Sequence, residues 1–267
     1  MRITANGIRM EYDMTGPPGA PVVTFSHSLA THLGMWEPQA QAVGARYRML
    51  RYDTRGHGGS DVPAGPYSFS QLVDDVRALL DAIGVERTHF VGISMGGMIG
   101  QWLALTCPER LQSLVLCDTS GRTAPEAGEI WDERIARAAR EGMGSQAEPT
   151  IGRWFTPRFV KEHAEVVDSM RAMIRATDAR GFVGCAAAIK THDALDRLSE
   201  IKVPTLIIVG EKDPGTPVAA AEAMHERIAG SQLVVIESAS HLSNLEQAEA
   251  FNEALLAFLS RPSVDEE

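Results

Sequence analysis

A serine, an aspartate and a histidine stand in this chain of 267 residues in an order that suits nucleophilic catalysis. Ser94 lies in Val91-Gly92-Ile93-Ser94-Met95-Gly96-Gly97, a G-x-S-x-G pattern directly after an apolar run and directly before a helical one. A turn that tight needs small residues beside the serine, and it leaves the hydroxyl exposed at the carboxyl end of the strand. The helix that follows aims its free N–H groups and its dipole at the same point, where negative charge is favoured. A serine hydroxyl is a weak nucleophile alone and needs a base and an orienting acid. The chain order for this motif is serine, acid, histidine. His241, in Ser238-Ala-Ser-His241-Leu-Ser-Asn244, is the expected general base. Asp213, in Gly210-Glu-Lys-Asp213-Pro-Gly, is the expected acid, with Glu211 and Asp118 as rivals. A developing oxyanion needs two fixed N–H donors. The backbone of Met95 is expected to supply one. That of Leu29, in His27-Ser28-Leu29-Ala30, is expected to supply the other, with Ser28 as the next choice.

These residues need strands that end where the chemistry is. Arg2 to Asn6 and Ile8 to Asp13 read as strands around Asn6-Gly7, a strong hairpin signal. Apolar runs at 21–25, 47–52, 88–93, 111–117, 205–210 and 232–236 follow, and Ser94, Asp118, Asp213 and His241 lie just past four of them. Ser68 and Gln71 have capping-box spacing before a helical apolar pattern that closes at Gly84. A helix from about Asn244 to Leu259 closes the series. Near-continuous apolar strands alternating with helices predict an α/β fold with a mostly parallel, doubly wound sheet covered on both faces. Open sheets of this kind place their sites at the carboxyl ends of the strands. Residues 121–195 break the rhythm, with several helical patterns and no good strand. The expected organisation is therefore a core of residues 1–120 and 196–267 with a helical cap inserted at 121–195.

Composition narrows the function. The net charge is −10, which argues against nucleic acid as the main partner. The cap segment holds 11 basic and 11 acidic residues, so the rest of the chain carries the whole −10. No apolar run approaches membrane-spanning length and the first residues carry no secretory pattern, so no membrane partner is expected and the cytoplasm is the expected location. Cys107, Cys117 and Cys185 read as small buried side chains. His27 and His57 are expected to organise loop hydrogen bonds, and His32, His89, His163, His192 and His225 to be surface or capping residues. No set of histidines has metal-ligand spacing, and Arg55-Gly-His-Gly-Gly-Ser60 lacks the lysine of a phosphate loop. Neither a metal nor a cofactor is expected.

Longer stretches carry a resemblance. His27–Trp36, Arg51–Gly58, Gly92–Gln101, Leu114–Thr119, Trp131–Ile135, Trp154–Pro157 and Ser240–Glu246 resemble the α/β-hydrolase fold family and, within it, the 3-oxoadipate enol-lactonases. The cap stretches and His241-Leu-Ser-Asn-Leu-Glu246 discriminate best. Two features depart from that pattern: Ala30 stands where the family usually has glycine, and Pro214 is an extra proline beside the acid. The resemblance implies hydrolysis of 3-oxoadipate enol-lactone to 3-oxoadipate in aromatic degradation, through an acyl-enzyme on Ser94 and without a cofactor. The substrate would be a small lactone or ester. Such a lactone carries a carboxylate, which an acidic body repels, so a local cation is expected. Arg134 beside Trp131 is the first candidate, followed by Arg153 and Arg158 around Trp154. Trp131, Trp154 and Phe155 are candidates to line an apolar pocket. Other readings on the same scaffold are a general carboxylesterase, another lactonase or a cofactor-free perhydrolase. A small-ligand receptor is a further class, but only the acidic stub Ser263–Glu267 is appended to the expected core.

Overall fold

A computed structural model describes residues 1–261, and the acidic stub lies outside them. Eight strands form one sheet: β1 (Arg2–Ala5), β2 (Ile8–Thr15), β3 (Val22–Ser26), β4 (Arg48–Tyr52), β5 (Thr88–Ile93), β6 (Leu111–Cys117), β7 (Thr205–Gly210) and β8 (Gln232–Ile236). Their order is β1-β2-β4-β3-β5-β6-β7-β8. The β1–β2 and β2–β4 pairs are antiparallel and the rest are parallel. This is the α/β-hydrolase architecture expected from the sequence. Asn6 and Gly7 turn the first hairpin with φ of 46° and 75°, the left-handed pair that a two-residue hairpin loop requires.

Helices α1 (Glu37–Val43), α2 (Phe69–Ala82) and α3 (Met95–Thr106) belong to the body. Ser68 and Gln71 form both capping-box hydrogen bonds at the start of α2. Between β6 and β7 lie α4 (Gly128–Glu141), α5 (Ala147–Trp154), α6 (Pro157–Glu162), α7 (Ala164–Ala176) and α8 (Ala179–Lys190). An isolated bridge from Arg122 to Asp193 joins the two ends of that stretch. The chain closes with α9 (Val218–His225), α10 (Ser243–Glu246) and α11 (Ala248–Leu259). The single terminal helix expected from about Asn244 is in fact two, because Gln247 turns out of helical geometry at φ −132°. The short helices α1 and α9 carry too few turns for their pattern to stand out in the sequence.

Helix α1 packs on α11, and α2 packs on α3. Every residue of β7 is buried, as are all but one each of β5 and β6, so the centre of the sheet is apolar on both faces. Each buried Val, Ile, Leu or Phe there contributes about 1.5–3 kcal/mol. That core is the rigid frame from which the loops at the carboxyl ends of β3, β5, β6 and β7 project.

Candidate active site

Ser94 sits between β5 and α3 at φ 55°, ψ −117°, a conformation that L residues rarely hold. Its surroundings enforce it. The Ser94 N–H donates to the Cys117 carbonyl at 2.9 Å, and its own carbonyl accepts from Thr119 Oγ1 at 2.8 Å. The glycines of the motif are required by contact as well as by the turn. A Cβ on Gly92 would lie 2.2 Å from the Gly96 carbonyl oxygen, and one on Gly96 would lie 2.1 Å from that of Ser26.

The structure brings Ser94, His241 and Asp213 into one hydrogen-bonded line. His241 Nε2 lies 2.9 Å from Ser94 Oγ, and Nδ1 lies 2.7 Å from Asp213 Oδ2. An ionised carboxylate can only accept, so Nδ1 carries the proton and Nε2 is left to accept from the serine. Asp213 is fixed by the N–H groups of Gly215 and Thr216 on Oδ1 (2.8 and 3.0 Å) and by Thr216 Oγ1 on Oδ2 (2.6 Å). Pro214 has no N–H, so the turn supplies these donors from the two residues after it. The hydroxyl of Thr216 was not singled out in the sequence, where only the Asp-Pro-Gly-Thr turn signals it. Burial opposes charge on His241, but the charge and hydrogen bond of Asp213 outweigh it and raise its pKa. Burial likewise works against the Asp213 carboxylate, yet His241 and the turn donors hold its pKa below the usual value.

The rival acids are engaged elsewhere. Glu211 accepts the Ser238 N–H at 2.9 Å. Asp118 is fully buried, with Oδ1 accepting from the Gly210 N–H (2.8 Å) and Oδ2 from Ser243 Oγ (2.6 Å). It ties the turn that carries Asp213 to the segment that carries His241. Burial and the neighbouring Asp213 charge push its pKa up to about 8.

The amide of Met95 opens α3 and that of Leu29 follows β3; among the described residues neither N–H has an acceptor. His57 Nε2 accepts the Ala30 N–H at 3.1 Å, and His27 Nδ1 donates to the Ser28 carbonyl at 2.7 Å, so these two histidines shape the loop around Leu29. Ala30 itself holds φ 64°, the left-handed region in which glycine is at ease. Of the remaining histidines, His32 caps a turn and His163 and His225 are exposed. His89 is half-buried against Ser113, and His192 is buried, accepting from Trp102 Nε1 at 3.2 Å, so the surface expectation does not hold for these two. Both fill gaps beside aromatic rings that periodicity does not reveal.

A cavity of about 470 Å³ opens over Ser94 and His241. Leu29, Trp131, Arg134, Arg153 and Trp154 line it. Arg134 stacks on Trp131 (4.2 Å to the ring centre) and lies 5.7 Å from the Phe182 ring centre. Its Nε is buried and has no partner among the described residues. Burial and the charges of Arg153 and Arg137 lower its pKa to about 9. Arg158 points away and pairs with Glu162 at 2.9 Å. Phe155 stacks on Phe159 in the packing between helices rather than in the cavity. The stretch Arg153–Thr156 is sewn to the histidine loop. Ser240 Oγ donates to the Arg153 carbonyl (3.1 Å), and the Leu242 N–H to that of Trp154 (3.1 Å). Buried Glu246 accepts from the Thr156 hydroxyl and amide and from the Ser240 N–H (2.9 Å). Glu246 had no assigned role in the sequence, although it ends the discriminating 240–246 stretch. Among the described residues no cluster of His, Cys, Asp and Glu is arranged to hold a metal ion, and no helix is long and apolar enough to cross a membrane.

Known proteins resemble this chain over nearly its whole length. A family model of the alpha/beta hydrolase fold matches residues 21–248. The chain is 38% identical to 3-oxoadipate enol-lactonase 2 of Acinetobacter baylyi, over 97% of this chain and 96% of that protein. The crystal structure of the enol-lactonase from Burkholderia xenovorans LB400 is 37% identical, covers 98% of this chain and 100% of its own, and superposes with a TM-score of 0.95. A thermophilic esterase from Thermogutta terrifontis, solved with malate bound, is 32% identical over 97% of this chain and 98% of its own, with a TM-score of 0.91.

Proposed function

The chain belongs to the α/β-hydrolase family and is an enzyme that hydrolyses esters or lactones; from that premise we propose that it opens 3-oxoadipate enol-lactone to 3-oxoadipate, with Ser94, His241 and Asp213 as its catalytic residues. Ser94 Oγ attacks the lactone carbonyl while His241 Nε2 takes its proton. Asp213 holds the imidazole in the required tautomer and stabilises the imidazolium. The N–H groups of Leu29 and Met95 receive the oxyanion. Collapse breaks the ring C–O bond. The enolate oxygen takes the proton from His241, and the enol becomes a ketone. Water, activated by the same histidine, then releases the acid from Ser94. Residues 121–195 act as a cap over residues 1–120 and 196–267, and the chain works on small molecules in the cytoplasm as one step of aromatic degradation.

The observation that carries the choice of substrate is Arg134, an unpaired guanidinium lining the cavity with Ser94 and His241. A lactone bearing a carboxylate gives it a partner; a neutral ester does not. Turnover of freshly generated enol-lactone beside p-nitrophenyl acetate tests the reading. The expected kcat/KM on the lactone exceeds roughly 10⁵ M⁻¹s⁻¹, and Arg134→Ala raises KM for the lactone far more than for the acetate. Turnover of the acetate alone would leave a carboxylesterase whose substrate is different.

A further inference from the structure

Three arginines line the cavity, and they are not equivalent. Arg122 is paired with Asp193 and Asp196 at 2.7 and 2.5 Å. Among the described residues Arg134 has no carboxylate partner, and neither has Arg153, whose Nη2 donates only to Thr150 Oγ1 at 3.0 Å. The two unpaired groups come from different helices, α4 and α5. Arg153 lines the cavity together with Ser94 and His241. Its carbonyl accepts from Ser240, the residue before His241, and its positive charge opposes protonation of His241. Burial and like charge lower the pKa of both arginines. Two uncompensated cations in one partly buried cavity repel each other, and a ligand with two negative charges relieves that repulsion.

We propose that the cavity is a two-carboxylate site, in which Arg134 holds the carboxylate the substrate already carries and Arg153 holds the one that hydrolysis creates. The placement of the first carboxylate rests on the function proposed above. Hydrolysis adds water across the ring C–O bond, and the new carboxylic acid gives its proton to solvent by way of His241. One negative charge therefore enters and two leave. The substrate satisfies one guanidinium and the product satisfies both, so the product is the tighter ligand and its release slows the cycle. The same logic makes any dicarboxylate of about six carbons an inhibitor.

Inhibition of p-nitrophenyl acetate hydrolysis by adipate and by adipamate tests this without recourse to the lactone. The two probes have the same length, and only the second carboxylate of adipate distinguishes them. Competitive inhibition by adipate is expected to be at least roughly tenfold stronger, the difference made by one charge-assisted contact of about 1.4 kcal/mol. In Arg153→Gln and in Arg134→Gln the ratio of the two inhibition constants falls towards one. Equal inhibition of the wild-type enzyme by both probes overturns the proposal, and that comparison needs no variant to fold. A ratio that survives Arg153→Gln overturns the place given to Arg153. A strong preference for adipate in an enzyme that does not turn over the enol-lactone upholds the two-carboxylate site and overturns only the substrate.

Discussion

Ser94 is held in a backbone conformation that costs on the order of 1–3 kcal/mol, and the hydrogen bonds to Cys117 and Thr119 hold it there. The strain leaves the hydroxyl one hydrogen bond from His241. Asp213 sets the proton affinity of that histidine. In the proposed mechanism His241 works only when neutral, so activity is expected to fall as pH drops through a pKa that lies above the ordinary 6.5. Asp213→Asn removes the charge that raises it. The expected result is a loss in kcat on the order of 10⁴-fold, with the acid limb of the pH–rate profile moved to lower pH. An unmoved limb measured by stopped assay across pH 5–8 would assign the acid to another residue. The serine and histidine were legible because the motif and the chain order constrain them. Asp213 was the expected partner of His241, with Asp118 and Glu211 as rivals because each also lies just past a strand end. What separates them is where each carboxylate finds its donors, and that requires the fold. Spacing likewise gave Arg153 and Arg158 equal standing beside Trp154, although only Arg153 turns into the cavity.

The elements that place these side chains are loops at the carboxyl ends of strands of 5 to 7 residues. Strand positions were legible from their unbroken apolar character, and α2 from its capping box. The break at Gln247 was not, because neither glycine nor proline marks it and the apolar spacing continues across it. That break lets α10 end at Glu246, whose carboxylate is buried between the histidine loop and Thr156. Glu246→Ala leaves those buried donors without an acceptor. A loss of about 3 kcal/mol is expected in urea unfolding, with kcat falling as His241 loses its fixed position. Wild-type stability in that variant would show that water replaces the carboxylate at no cost.

Across the whole molecule, burial selects which charges the fold accepts. His27, His89 and His192 have pKa values lowered to about 4 and His57 to about 3, in each case mainly by burial. Each folded value lies below the ordinary 6.5, so the unfolded chain takes up protons that the folded chain refuses. The stability these neutral histidines contribute is complete above pH 6.5 and is lost as pH falls towards 4. Asp53, Asp75 and Asp118, raised by burial, act in the opposite sense. Urea unfolding at pH 7, 6, 5 and 4.5 is expected to show stability declining below pH 6, by about 1.4 kcal/mol per pH unit for each net proton. A flat profile would mean that the folded carboxylates take up as many protons as these rings refuse. The charge balance of residues 121–195 against the rest of the chain was legible by counting, whereas the buried histidines were not, because no pattern tells a ring beside an aromatic core from one on the surface. The seam between Arg153–Thr156 and residues 240–246 also bears on how such enzymes can be recombined. A helical segment transplanted from an α/β hydrolase that lacks the Trp154–Pro157 stretch would meet this histidine loop without those partners, so the smallest exchangeable module is discontinuous: residues 121–195 together with the seven residues that include His241.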